Sequence, residues 1–170
     1  METIERLEVT IAKWYENMPH LPKNGQKWLA SNAWWLVLIG VILSTLGIMG
    51  FLMLVLLSSA LLTGVAGVAG AAIGGIALLA SLVYFVFSII EIILSIMAIS
   101  PLKALRKKGW TLLFTAMLVN VLAFVIGFIF SFNVFSLLRE LVAVGIGMYF
   151  LFEVRDYFVL ARHTTKTAKK

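Results

Sequence analysis

Between Ala33 and Leu102 the chain carries a single charged side chain, Glu91. One helix of that length would be roughly three times the ~20 residues that cross a bilayer, so the run must fold back on itself. Its weakest helix-forming stretch is Thr63-Gly64-Val65-Ala66-Gly67-Val68-Ala69-Gly70-Ala71-Ala72-Ile73-Gly74-Gly75, where glycine frees the backbone. This predicts a first apolar helix over 33–61 and a second over 76–100. Pro101 and a compact basic loop with Lys103, Arg106, Lys107 and Lys108 follow, then a third apolar helix over 110–130. Ser131-Phe132-Asn133 is a weak turn signal, and a less clean fourth span covers 137–154.

Before the first span the pattern changes. Ile4, Leu7, Ile11, Trp14 or Tyr15, and Met18 recur at three- and four-residue spacing, with Glu2, Glu5, Glu8, Lys13 and Glu16 on other faces, which predicts an amphipathic helix. Pro22 biases Leu21 away from helix and Gly25 allows a turn, so the helix ends before them, and a short stretch Gln26 to Ala30 leads into the first span. The predicted fold is all-α: a four-helix transmembrane bundle with an N-terminal amphipathic helix. Its parts are a cytoplasmic or interfacial helix and linker (1–32), the membrane domain (33–154) and a basic cytoplasmic tail (155–170).

Composition narrows the function classes. The chain is 62% hydrophobic and 13% charged, with a mean hydropathy of +1.04. Soluble domains carry about 25% charged residues, so this surplus of apolar side chains needs lipid to face. No cysteine means no disulfide, thiolate metal site or cysteine nucleophile. Two histidines and eight acidic residues leave little for catalysis, so no enzymatic activity, cofactor or metal is expected. The charged first 32 residues lack the form of a secretory signal, and the N-terminus is expected to be retained.

The cations set the expected orientation. The N-terminal segment and the central loop hold four Lys/Arg each and the C-terminal end five (Arg155, Arg162, Lys166, Lys169, Lys170), while the opposite loops have only Arg139 at their margin. An even number of spans puts all three basic regions on one side, so both termini are expected to be cytoplasmic in a multi-pass inner (plasma) membrane protein. All five tryptophans fall on that side, where indole favours the headgroup layer. Lys103, Arg106, Lys107, Lys108 and Trp110 are therefore expected to meet lipid headgroups, each cation contributing about 1 kcal/mol. No aromatic-interleaved soluble domain accompanies them, so membrane lipids rather than nucleic acid are the expected partners.

Three features bear on function. Tyr84, Ser88, Glu91 and Ser95 follow at four, three and four residues and form a polar stripe on the second span. Counting back from Ser100 at roughly 1.5 Å per residue places Glu91 near mid-membrane, and Asn120 in the third span lies at similar depth, so the two can meet. Glu91 reads either as a neutral hydrogen-bonding residue that fixes helix register or as a proton carrier for transport. Second, only about 13 residues, or roughly 20 Å of helix, separate Glu140 from Glu153; Arg139 is expected to snorkel outward rather than face the bundle interior. Glu153, Arg155 and Asp156 are expected to pair locally or with the central basic loop. Third, Gly40, Ser44 and Gly47, then Gly70 and Gly74, then Gly145 with Gly147 supply small residues through which helix backbones can approach closely. The N-terminal helix reads as a docking element for a partner or second copy, or as a helix lying in the membrane interface, and His20 as a solvated loop residue.

Leu21-Pro22-Lys23 with Lys27-Trp28-Leu29 and Trp34-Trp35, then Lys108-Gly109-Trp110 with Leu112-Leu113-Phe114, and the run Tyr149 to Tyr157 give the chain its most distinctive wording. In these pieces it resembles a family of small uncharacterised four-span integral membrane proteins of bacteria with reduced genomes. The resemblance implies a fold and a membrane location and brings no activity. The expected function is a non-enzymatic role through helix packing with itself, as a homo-oligomer, or with another membrane protein. The alternative is a small oligomeric proton-linked transporter or channel using Glu91.

Overall fold

A computed structural model describes residues 2–131 and 134–158. These contain four helical runs and no strand: α1 (Glu2–Tyr15), α2 (Lys23–Lys103), α3 (Lys107–Ser131) and α4 (Val134–Glu153). The turn expected at Phe132 and Asn133 and most of the expected basic tail lie outside the described residues.

The long apolar run does reverse, at one residue. Gly67 adopts φ 55°, ψ −130°, a conformation that a Cβ makes costly, while both sides stay helical. The limbs, residues 23–66 and 68–103, then run back along each other. A Cβ at Gly70 would collide with the Leu62 carbonyl, and one at Gly74 would lie 3.1 Å from the Ser59 Cβ. Farther along, the Phe51 and Tyr84 rings meet at 5.5 Å, and Lys103 Nζ sits 5.2 Å from the Trp34 ring centroid. The rest of the glycine-rich stretch, expected as a break over 63–75, is helical. Continuing the helix keeps backbone groups bonded within the segment, against a cost of about 1 kcal/mol per glycine. Polar side chains follow the same rule: the hydroxyls of Thr45, Ser59, Thr63 and Thr115 donate to carbonyls one turn back, at 2.7–2.9 Å.

The first limb begins at Lys23, so the short helix expected over Gln26 to Ala30 is its opening turns. At the other end of α2, Leu105 (φ 49°) makes the turn into α3, and Arg106 N–H donates to the Pro101 carbonyl at 2.8 Å. Gly109 is required behind this turn, since a Cβ there would lie 2.6 Å from Leu102 N.

Two helices, α2 and Lys107–Ile129 of α3, are long and apolar enough to cross a membrane. Their large apolar side chains point mostly outward, among them Leu57, Ile73 and Val125, the inverse of a core helix in water. Burial is concentrated at one end, where α1, the turn after α2 and the end of α4 meet. Ala98, Leu102, Trp110, Phe114, Leu151, Phe152 and Phe158 form that core, and Ile4, Ile11, Ala12 and Tyr15 of α1 pack onto it.

Trp110 corrects an expectation. It faces protein rather than headgroups: it is 0% exposed, stacks on Phe114 at 5.3 Å and donates from Nε1 to the Leu151 carbonyl at 2.7 Å. Its indole nitrogen finds a carbonyl within the protein, so it needs no water layer.

Candidate functional site

The polar stripe of the second limb faces inward. Between the two limbs, α3 and α4 lies a cavity of about 730 Å³, walled by Ser44, Gly47 and Phe51, by Tyr84, Ser88 and Glu91, by Asn120 and Phe124, and by Arg139 and Glu140. The contact that depth alone allowed is made: Asn120 Nδ2 donates to Glu91 Oε2 at 3.0 Å. Ser88 is buried beside it. Arg139 Nη2 donates to Glu140 Oε1 at 2.8 Å, and this pair stands on the cavity wall. Arg139 keeps the exposure that outward snorkelling needs, 69% of its side chain, while pairing with Glu140 on the wall of the same cavity as Glu91.

Ser95 lines a second cavity of about 350 Å³, mostly apolar, between the first limb and α4. Leu29, Val37, Gly40, Met117, Phe150 and Phe158 are among its walls. Ser44, Glu91 and Ile92 belong to both cavities, so Glu91 stands where a polar space and an apolar one meet.

This arrangement changes the meaning of the small residues. At Gly40, Gly47 and Gly145 an added Cβ would meet nothing within 4 Å, so none marks a close helix contact. Gly40, Ser44 and Gly47 instead line the cavities, where missing side chains make the space opposite Glu91. Gly70 and Gly74 do permit close approach, but between the two limbs of one hairpin, and Gly147 sits against the Met117 side chain.

At the buried end a second polar cluster forms that the sequence pattern did not suggest. Glu8 was assigned to the outer face of α1, yet its side chain is 3% exposed. Its Oε1 accepts from Arg155 Nε at 2.8 Å and Nη2 at 2.7 Å, with Lys107 Nζ at 3.6 Å. Ile4, Glu8, Ile11 and Tyr15 share the inner face, while Leu7 and Trp14, expected on the apolar stripe, are exposed. The i, i+4, i+7 spacing of Glu8 with Ile4 and Ile11 was the available signal. Thus α1 docks on its own chain, Arg155 pairs with α1, and Lys107 points to Glu8. Lys103 lies over Trp34, while Arg106 and Lys108 remain exposed at the turn.

The linker after α1 is fastened to the end of α4. Glu153 accepts from His20 Nδ1 at 3.1 Å, Leu21 N–H at 2.5 Å and Gln26 Nε2 at 2.8 Å. Tyr149 Oη donates to the Pro19 carbonyl at 2.7 Å and Tyr157 Oη to that of Lys23 at 3.2 Å. His20, expected to be merely solvated, is exposed but paired; its hydrogen bond with the Glu153 carboxylate, and then that group's charge, raise the imidazole above its ordinary 6.5.

Chemically, the Glu91 cavity offers one carboxylate with an amide donor, hydroxyls and aromatic faces. Among the described residues no three His, Asp or Glu side chains converge as a metal site would require. No family model, curated protein or solved structure matches this chain.

Proposed function

We propose that the chain is a multi-pass protein of the bacterial inner membrane, with the two limbs of α2, α3 and α4 as four spans and both termini cytoplasmic. The outward apolar side chains of α2 and α3 support membrane residence. The gathering of α1, the basic turn and the end of α4 at one end supports the orientation, since it groups the cations on one side. Single cysteines test this topology with an impermeant thiol reagent on intact cells. A cysteine at Val68, beside the hairpin tip and 89% exposed, should react, whereas one at Lys108 should react only after permeabilisation. Reaction at Lys108 in intact cells would overturn the orientation.

Within that frame the protein acts as a small proton-linked transporter. The observation that carries this reading is Glu91 at the junction of two cavities. A carboxylate at bilayer depth that lines a cavity is the kind of residue that exchanges protons along a pathway. Glu91→Gln keeps shape and hydrogen-bonding capacity but has no proton to release. In liposomes under a pH gradient, the parent should show flux and Glu91→Gln should lose it, with thermal stability in detergent within about 1 kcal/mol. Equal flux in both variants, or flux in neither, would sink the transport reading.

A packing role with a second copy or another membrane protein is the second reading. It is favoured by the outer face of α4, where Leu138, Leu141 and Val142 are exposed and Gly145 leaves open space beside them.

A further inference from the structure

The Glu91 cavities carry more than a site; their walls specify a ligand. Arg139 and Glu140 pair with each other at 2.8 Å, which leaves Glu91 as the charge without an ion-pair partner among the described wall residues. One negative charge in an apolar surround calls for one positive charge. A divalent cation would need six or more hard oxygen ligands, and an anion would be repelled by Glu91. Phe51 and Tyr84, packed edge to face at 5.5 Å, add aromatic surface that favours an organic cation over a hydrated metal. Ser44, Ser88 and the Asn120 carbonyl oxygen supply acceptors for ammonium N–H groups.

The second cavity sets the rest of the ligand. It opens from Glu91 itself and runs between Val37, Gly40 and Val41 on one side and Met117, Gly147 and Phe150 on the other. Apart from Ser44 and Ser95 near Glu91, such walls accept a hydrocarbon chain and offer little to a polar one. We propose that the two cavities together bind an amphipathic monocation, a primary or secondary ammonium against Glu91 with an unbranched apolar tail in the cleft between the first limb of α2 and α4. This names the ligand of the transport reading above and rests on it for the role of the site.

Binding exchanges charge without bond-making in the ligand. A protonated Glu91 releases its proton as the ammonium arrives, so the carboxylate is balanced in both states by one positive charge. The groups facing it are Asn120 from α3, the Arg139–Glu140 pair from α4 and Tyr84 from its own limb; the first limb contributes Ser44 and Phe51, which carry no charge.

The full chain in phosphatidylcholine nanodiscs tests this with decylamine, decanol and decanoate, which share a tail and differ in head charge. Decylamine alone should bind saturably, one per chain, with release of about one proton in weakly buffered solution and affinity falling as pH is lowered. Glu91→Gln should weaken it at least about tenfold. Gly40→Leu, at a position where an added Cβ meets nothing within 4 Å, should weaken decylamine more than methylamine. Equal saturable binding of decanol, unchanged decylamine affinity in Glu91→Gln, or no saturable binding in the parent would overturn the assignment. The parent's head-group preference and proton release decide the matter even if a variant fails to fold. Glu91-dependent flux of another solute, with no decylamine binding, would discard this ligand and keep transport. Glu91-dependent decylamine binding without pH-driven flux would keep the ligand and discard transport.

Discussion

Trp110→Ala should lower unfolding free energy by about 3–5 kcal/mol. The indole is fully buried, stacked on Phe114 and met edge-on by Phe152 at 5.5 Å, with the Arg155 guanidinium 6.0 Å from its ring centroid. Truncation would leave a void that these neighbours cannot collapse into without losing their own contacts, and would remove the hydrogen bond to the Leu151 carbonyl. Trp110→Phe keeps most of the packing and loses the hydrogen bond, so it should cost about 1–3 kcal/mol. Chemical unfolding in mixed micelles measures both. Near-equal stability of the alanine variant and the parent would return Trp110 to the headgroup anchor that its place in the sequence suggests.

Glu8→Ala should release α1. Removing one partner of a buried ion pair costs about 3–5 kcal/mol when the other charge is stranded. Arg155 and Lys107 are 28% and 31% exposed and can turn to water, so the loss here should be about 2 kcal/mol. The readout is limited proteolysis between Glu16 and Pro22, which should accelerate severalfold while the remaining helices stay protected. The His20–Glu153 contact adds a pH term of known sign. Because the folded imidazole is raised above 6.5, its contribution is fully present below about pH 6.5 and is lost as pH rises through the folded value. Cleavage of Glu8→Ala should therefore quicken further as pH rises from about 6.5 through the folded value. A pH-independent rate, or no change from the parent, would mean that α1 is held by its apolar face alone.

The all-helical fold, the reversal within the glycine run and the Glu91–Asn120 contact were legible in the sequence, because each follows from apolar patterning or position along a helix. The inner face of α1 was not. Ile4-Leu7-Ile11-Trp14 and Ile4-Glu8-Ile11-Tyr15 fit the same helical spacing, and only the arrival of Arg155 and Lys107 from distant segments makes the acid the inward residue. Trp110 misled for a related reason: its partner carbonyl belongs to α4, and local sequence holds no trace of that pairing. Gly40, Ser44 and Gly47 show a third limit. A row of small residues says that something is missing from a helix face, but not whether another backbone or an open space fills the gap.

The single-residue reversal at Gly67 gives the molecule a one-sided address. Val65 and Val68, both 89% exposed, and the small residues around them make the hairpin tip, with no loop and no charged side chain. A blunt apolar tip has little with which to read a polar partner. On the topology proposed above, any water-soluble partner would meet the opposite end, where α1, the basic turn and the Glu153 contacts are grouped.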